Sequence, residues 1–168
     1  LECVKMWLER FKNWDLNRKD TLFGGNALIS CASVGVYNKL EITKLIVRRG
    51  GDLQRRGSAG STALMSACRS KDADLDQIKY ILKSCPDMIN KRYDPITTKW
   101  NLIFKSVLAL RRIAGVKSGV MKFLTDLPGC TALHEATRRG DLRVVEILMG
   151  HGACPKIKNK IGESPLDS

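Results

Sequence analysis

Gly129-Cys130-Thr131-Ala132-Leu133-His134-Glu135-Ala136, followed by Gly140-Asp141-Leu142-Arg143-Val144-Val145-Glu146-Ile147-Leu148 and then Gly152-Ala153, is the stretch that decides the fold. It reads as two short helices joined by a glycine turn, the second carrying its apolar residues at helical spacing. The pattern opens again at Gly162-Glu163-Ser164-Pro165-Leu166, and both Gly129 to Gly162 and Leu133 to Leu166 step by 33 residues (162 − 129 and 166 − 133). A fixed period of about 33 marks a chain of small units, each burying its apolar face only when stacked on a neighbour.

Further copies lie upstream. Gly60-Ser61-Thr62-Ala63-Leu64-Met65-Ser66-Ala67-Cys68 aligns on Gly129 to Thr137, and Leu75 to Leu82 aligns on Leu142 to Met149. The two extra residues fall in Ser70 to Asp74, an interhelical loop where insertion disturbs least. Gly24-Gly25-Asn26-Ala27-Leu28-Ile29-Ser30-Cys31-Ala32 supplies another first helix and Leu40 to Val47 its second, closed by Gly50-Gly51-Asp52, with Val36 to Lys39 carrying the length variation. Before these, Val4, Trp7, Leu8, Phe11 and Trp14 recur at helical spacing and lead into Asp15-Leu16-Asn17. Ala, Ser and Cys on the first helices permit close approach. The stripes Ile42, Leu45, Ile46, then Ile78, Ile81, Leu82, then Val145, Leu148 close each layer.

The spacing and the Thr131 to His134 turn resemble an ankyrin repeat. The resemblance implies an all-α ankyrin-repeat solenoid of stacked helix-turn-helix units with short β-hairpin or turn fingers, in which His134 braces the turn between repeats. It also implies binding rather than catalysis. On this basis residues 1–168 form one domain: an N-terminal capping part-repeat (1–19), repeats at 20–55 and 56–91, a divergent repeat (92–127), a well-formed repeat (128–160) and the start of a further one (161–168). A chain that opens on Leu1 and ends inside a repeat is expected to be a module of a larger protein.

The divergent repeat has Asn101 to Leu108 in the place of a first helix and Val120 to Leu124 in the place of a second. Its place in the series rests on periodicity and on a length that leaves room for one repeat between two clear ones. Its ending is short: Leu148 to Gly162 spends 162 − 148 = 14 steps on the finger, Leu124 to Gly129 only 129 − 124 = 5. We read this as a finger lost from the repeat or as residues missing between Leu124 and Gly129, with preference for the second.

Composition narrows the function classes. No run approaches the roughly 20 apolar residues of a membrane span, and no signal-like start is present. An intracellular protein, cytoplasmic or nuclear, is expected. The six cysteines are widely spread, several at small buried repeat positions, so reduced thiols are expected. No Cys-x-x-Cys pair exists and the two histidines are not at ligand spacing, which leaves zinc without support. Gly24-Gly25 and Gly50-Gly51 do not continue into a phosphate-binding Gly-Lys-Ser/Thr, and His151 belongs to no nucleophile motif. Neither an enzyme nor a cofactor is expected.

Charge points to a partner. The 29 basic and 17 acidic residues leave a net +12, large for one domain. Basic residues recur at the finger position: Arg18 and Lys19, Arg55 and Arg56, Lys91 and Arg92, then Lys156, Lys158 and Lys160. Stacking would align them along one edge, and Arg69, Arg138 and Arg139 at first-helix ends extend it into the groove. Tyr93 and Trp100 flank it as interface anchors, or for Trp100 as a cap on the divergent repeat. The expected partner is an acidic or phosphorylated protein segment bound on a basic concave face. Nucleic-acid or other polyanion binding is the alternative, without a recognised motif. Packing against other domains of the parent chain is the third reading.

Overall fold

The computed structural model describes residues 1–21, 24–33, 37–114 and 126–167, with side chains of 112–114 outside the description. The helices are α1 (Glu2–Arg10), α2 (Ala27–Cys31), α3 (Lys39–Arg48), α4 (Ala63–Arg69), α5 (Leu75–Ser84), α6 (Thr98–Ala114), α7 (Ala132–Arg139) and α8 (Leu142–Gly150), with 3-10 turns at Pro86–Met88 and Pro165–Asp167. No strand is present among the described residues. Where hairpin fingers are expected there are turns.

Each first helix begins at a side-chain cap at the same place in the repeat. Asn26 accepts from the Ile29 N–H at 3.0 Å, and Thr62 from the Met65 N–H at 3.2 Å. At Thr131 the cap is reciprocal, because the Thr131 N–H donates to His134 Nδ1 at 3.1 Å. Such caps satisfy donors that the first helical turn leaves without intrahelical partners. Asp74 caps α5 in the same way through the N–H groups of Asp76 and Gln77.

The helix pairs pack side by side: α2 on α4 and α4 on α7, with α3 on α5 and α5 on α8 behind them. Ala63, Leu64, Met65, Ala67 and Cys68 on α4 are almost wholly buried, as are Ala132, Leu133 and Ala136 on α7. Small residues at this seam let the two helices meet closely. One continuous core runs from Leu8 through Ala153. Lys39 crosses between layers, its buried ammonium donating to Ser70 Oγ at 2.6 Å and to the Asp72 carbonyl at 2.8 Å. The N-terminal helix is shorter than its pattern implies. Leu8 is buried, whereas Trp7, Phe11 and Trp14 form an exposed aromatic cluster with ring centroids 5.2 and 5.3 Å apart.

Direct packing of α4 on α7 leaves no helical layer between them, unlike the stacking order expected from the period, and the described α6 lies outside that contact. Instead of a short helix at 101–108 there is one 17-residue helix, α6, and the expected second helix at Val120 to Leu124 lies outside the described residues, as does Thr125 after it.

The finger turns locate the detour. In the regular repeats a backbone N–H closes onto a carbonyl a few residues on: Gly57 to Ser61 at 2.9 Å and Asn159 to Glu163 at 2.8 Å. The equivalent bond runs from the Tyr93 N–H to the Cys130 carbonyl at 2.8 Å, and the Gly129 N–H returns to the Tyr93 carbonyl at 2.9 Å. This turn therefore closes over 130 − 93 = 37 residues where its counterpart spans 163 − 159 = 4, leaving 37 − 4 = 33 residues looped out. The short finger before Gly129 has the same origin, because the finger that meets Gly129 begins at Cys85 rather than after Leu124. At Gly60, held at φ +92°, a Cβ would strike the backbone of Asp94. The detour departs hard against the preceding turn, and only glycine leaves it room.

Candidate functional site

The basic finger residues divide into two sets. Arg56 and Arg92 act as internal braces. The Arg56 guanidinium donates to the carbonyl of Gly60, four residues on, at 3.3 Å, and to those of Arg92 at 2.7 Å and Asp94 at 3.1 Å. Arg92 repeats the grip one layer later, donating to the Gly129 carbonyl, 37 residues on, at 3.2 Å and to that of Lys158 at 2.9 Å. Each holds its own turn glycine and the next finger. Asparagines do the same at the finger base. Asn17 donates to the Gly50 carbonyl and accepts from the Asp52 N–H, and Asn90 makes the corresponding pair with Gly152 and Cys154.

The other set faces solvent. Arg18, Arg55, Lys91, Lys156, Lys158 and Lys160 are exposed, with Lys19 half-buried. Lys160 lies 3.5 Å from the Asp94 carboxylate across an exposed gap. Arg139 is exposed at the end of α7.

The groove beside the first helices holds the remaining predicted residues. Tyr93 and Trp100, read as aromatic anchors open to a partner, are 2% and 9% exposed. Tyr93 is buried because it closes the finger turn, and its hydroxyl accepts from Arg69 Nη1 at 3.1 Å. Burial pushes its phenol pKa up. Trp100 packs edge-on against Phe104, centroids 5.7 Å apart, and both rest on Ala59. Aromatic spacing beside arginine looks alike in sequence whether the ring is presented or packed.

Glu135 is the site residue that sequence reasoning missed. It is 1% exposed on α7, its carboxylate 3.0 Å from Arg138 Nη2 without hydrogen-bond alignment. Burial raises its pKa, opposed by the charges of Arg138 and Arg69. A carboxylate flanked by arginines of two adjacent first helices is a buried ionic seam, whose cost falls on whichever member loses its partner. The signal was present in the sequence: Glu135 stands among positions otherwise filled by small or apolar residues. His134 sits next to it, with Nδ1 accepting from Thr131 and Nε2 facing the Glu163 carbonyl at 3.2 Å. That arrangement requires the neutral ring protonated at Nε2, and burial lowers its pKa accordingly.

Between the first helices and α6 lies a cavity of about 310 Å³. It is lined by Ile29, Ser30 and Ser33 of the α2 region, by Arg69 and Tyr93, and by Trp100 and Phe104 of α6. A second, more polar cavity of about 270 Å³ lies toward α7, where Arg111 of α6 pairs with Asp126 at 2.7 Å and Arg138 and Cys130 complete the wall. Burial holds the Cys130 thiol up at about 11, so it stays protonated and unreactive. Cys31, Cys68, Cys85 and Cys130 are buried thiols and Cys3 is exposed. Among the described residues no group of three or more His, Cys, Asp or Glu side chains is placed to hold a metal ion. No described helix is long and apolar enough to cross a membrane. The arrangement offers shape, charge and hydrogen bonds.

Residues 128–160 match the family model for the ankyrin repeat. Among curated proteins, the chain is 27% identical over 164 residues to the mitochondrial disaggregase of Homo sapiens, an alignment covering 77% of this chain and 22% of that protein. It is 28% identical over 130 residues to the mitochondrial disaggregase of Bos taurus, covering 77% and 19%. A third stretch of 39 residues is 49% identical to the Rattus norvegicus protein of the same name, covering 23% and 6%. The chain spans about a fifth of the length of the curated relatives it matches. Residues 128–160 are thus an ankyrin repeat. The cytoplasmic or nuclear location expected from sequence gains no support from relatives that are named mitochondrial.

Proposed function

We propose that the chain is an ankyrin-repeat solenoid serving as a non-enzymatic protein-interaction module within a longer protein. In this reading residues 95–127 are an excursion from one finger turn and not a repeat of the stack. The module grips an acidic or phosphorylated segment of a partner protein, drawn in by the finger edge and held in the groove under α6. The observation that carries this reading is the exposed basic edge: Arg18, Arg55 and Lys91 recur along the fingers, and Lys156 and Lys158 stand in the last finger, of a chain with net charge +12. A field of one sign steers an oppositely charged segment and fixes its register. Arg56 and Arg92, committed to carbonyls inside the fold, hold the fingers that present the others.

Relatives named mitochondrial, each several times longer than this chain, favour a mitochondrial setting and a parent protein that carries its activity elsewhere. The test is titration of the isolated chain with an Asp/Glu-rich peptide by calorimetry at several salt concentrations. Replacing Arg55, Lys91, Lys156 and Lys158 together by Glu is expected to weaken binding by at least about tenfold at low salt, since rim charges act mainly on encounter. Equal affinity in the variant would remove the basic edge from the function.

A further inference from the structure

The cavity between the first helices and α6 has the features of a binding site in its own right. At about 310 Å³ it reaches the lower bound of ligand pockets and exceeds the volume of one large side chain. Its walls come from separate parts of the chain: Ile29 and Ser30 from the α2 layer, Arg69 and Tyr93 from the α4 layer and finger, Trp100 and Phe104 from α6. Among the described residues, α6 stands outside the main core. Its buried face rests on the small cluster with Ala59, while the core of the stack continues without it. Two buried aromatic rings and Ile29 thus line it together, and among its lining the Arg69 guanidinium is held by its bond to the Tyr93 hydroxyl.

Resting on the reading above, we propose that this cavity receives one apolar side chain, leucine-sized or aromatic, of the acidic segment bound along the finger edge. The side chain enters between Ile29 and the Trp100 and Phe104 rings, and a carboxylate one or two residues away in the partner meets Arg69. The apolar lining favours a buried side chain, and the arginine among the lining residues favours a neighbouring acid. Specificity then lies in the spacing between one apolar and one acidic residue, while the finger edge supplies general attraction.

The test uses a fluorescein-labelled nine-residue Asp/Glu-rich peptide with a central leucine, and its counterpart with serine at that place. Wild-type chain is expected to bind the leucine peptide about tenfold or more tightly, the difference that burying one leucine side chain supplies. Ser30 is an exposed residue of α2 that lines the cavity, so Ser30→Phe fills the space from a surface position. The leucine peptide is expected to fall to the affinity of the serine peptide in this variant, with the circular dichroism of the chain unchanged. Equal affinity for the two peptides in the wild type overturns the pocket while leaving the basic edge intact. Undiminished leucine preference in Ser30→Phe also overturns it. Unweakened binding of the leucine peptide after charge reversal of the finger edge, with the leucine preference lost in Ser30→Phe, supports the pocket while defeating the acidic-partner reading. A ten-residue single-stranded oligothymidine that binds with the same Ser30→Phe sensitivity would overturn the peptide as occupant.

Discussion

The turn at Asn159 to Glu163 and the turn at Tyr93 to Cys130 are closed by the same backbone bond, at the same 2.8 Å, yet one spans four residues and the other 37. The turn at Gly57 to Ser61, closed by the same bond at 2.9 Å, shares the surroundings of the long one: an arginine grips the turn glycine and a capped helix follows. What differs is the length of chain sent out between the closing residues. A repeat array is held by contacts between adjacent layers, so a finger turn can carry a long detour without loosening the stack, provided the detour leaves and returns at one point.

The regular core should respond far more strongly than the detour. Leu64→Ala, at a residue wholly buried in α4, is expected to cost about 2–5 kcal/mol through the cavity it leaves, read as a lower urea midpoint with an unchanged slope. Phe104→Ala, at a residue 3% exposed on α6, is expected to shift that midpoint by less than half as much. Its main effect should be faster hydrogen exchange in α6 alone. Equal effects would mean that α6 belongs to the same cooperative unit.

A smaller effect tests the clasp. Asn90→Ala removes both bonds to the Gly152 carbonyl and the Cys154 N–H and should cost about 1–2 kcal/mol. Loss of protection is expected at Cys154. If residues 92–127 stood between the layers, that amide would be indifferent to Asn90.

Smaller again is the pH response of the regular turn. The His134 pKa is lowered in the fold, so below about 6.5 the unfolded chain binds a proton that the folded chain resists. The His134 contribution is therefore complete above that pH and declines as pH falls toward the lowered folded value. Glu135, whose pKa is raised, works in the opposite direction at lower pH. The difference between wild type and His134→Gln isolates the histidine. It should shrink between pH 7.5 and 5.5 in urea titrations, and a constant difference would contradict the neutral ring.

The least effect is expected from the largest edit. Deleting residues 95–127 leaves Tyr93-Asp94-Pro128-Gly129-Cys130, a turn of regular length, and the urea midpoint should move by no more than about 1 kcal/mol equivalent. Collapse of the remaining chain would show that α6 supports the stack.

Most of the regular layers were legible in the sequence because each rests on a local rule. Glycine stands at the turns, Thr or Asn at the cap, small residues on the first helix and an apolar stripe on the second. Residues 92–127 misled for a physical reason. The detour is as long as one period, so the register of Gly129 against Gly60 is that of an array with one more member. Apolar spacing in Asn101 to Leu108 marks a helix with a buried face without naming what buries it. The clue was the short interval from Leu124 to Gly129, which reported a finger begun elsewhere. The site was less legible than the fold. Exposed lysines and half-buried braces are both written as basic residues at finger positions, and only geometry separates Arg92, spent on Gly129 and Lys158, from Lys91 beside it.

The paired bonds at Tyr93, Gly129 and Cys130 also set how the molecule carries load. A pull applied to α6 is delivered to the stack at adjoining peptide units, with both arms of the detour anchored to the same turn. The force therefore peels α6 from Ala59 and stops at the closed turn, and the layers are not sheared past one another. Helix α6 can be drawn away and allowed to return while α4 and α7 stay in register, a tether with slack built in.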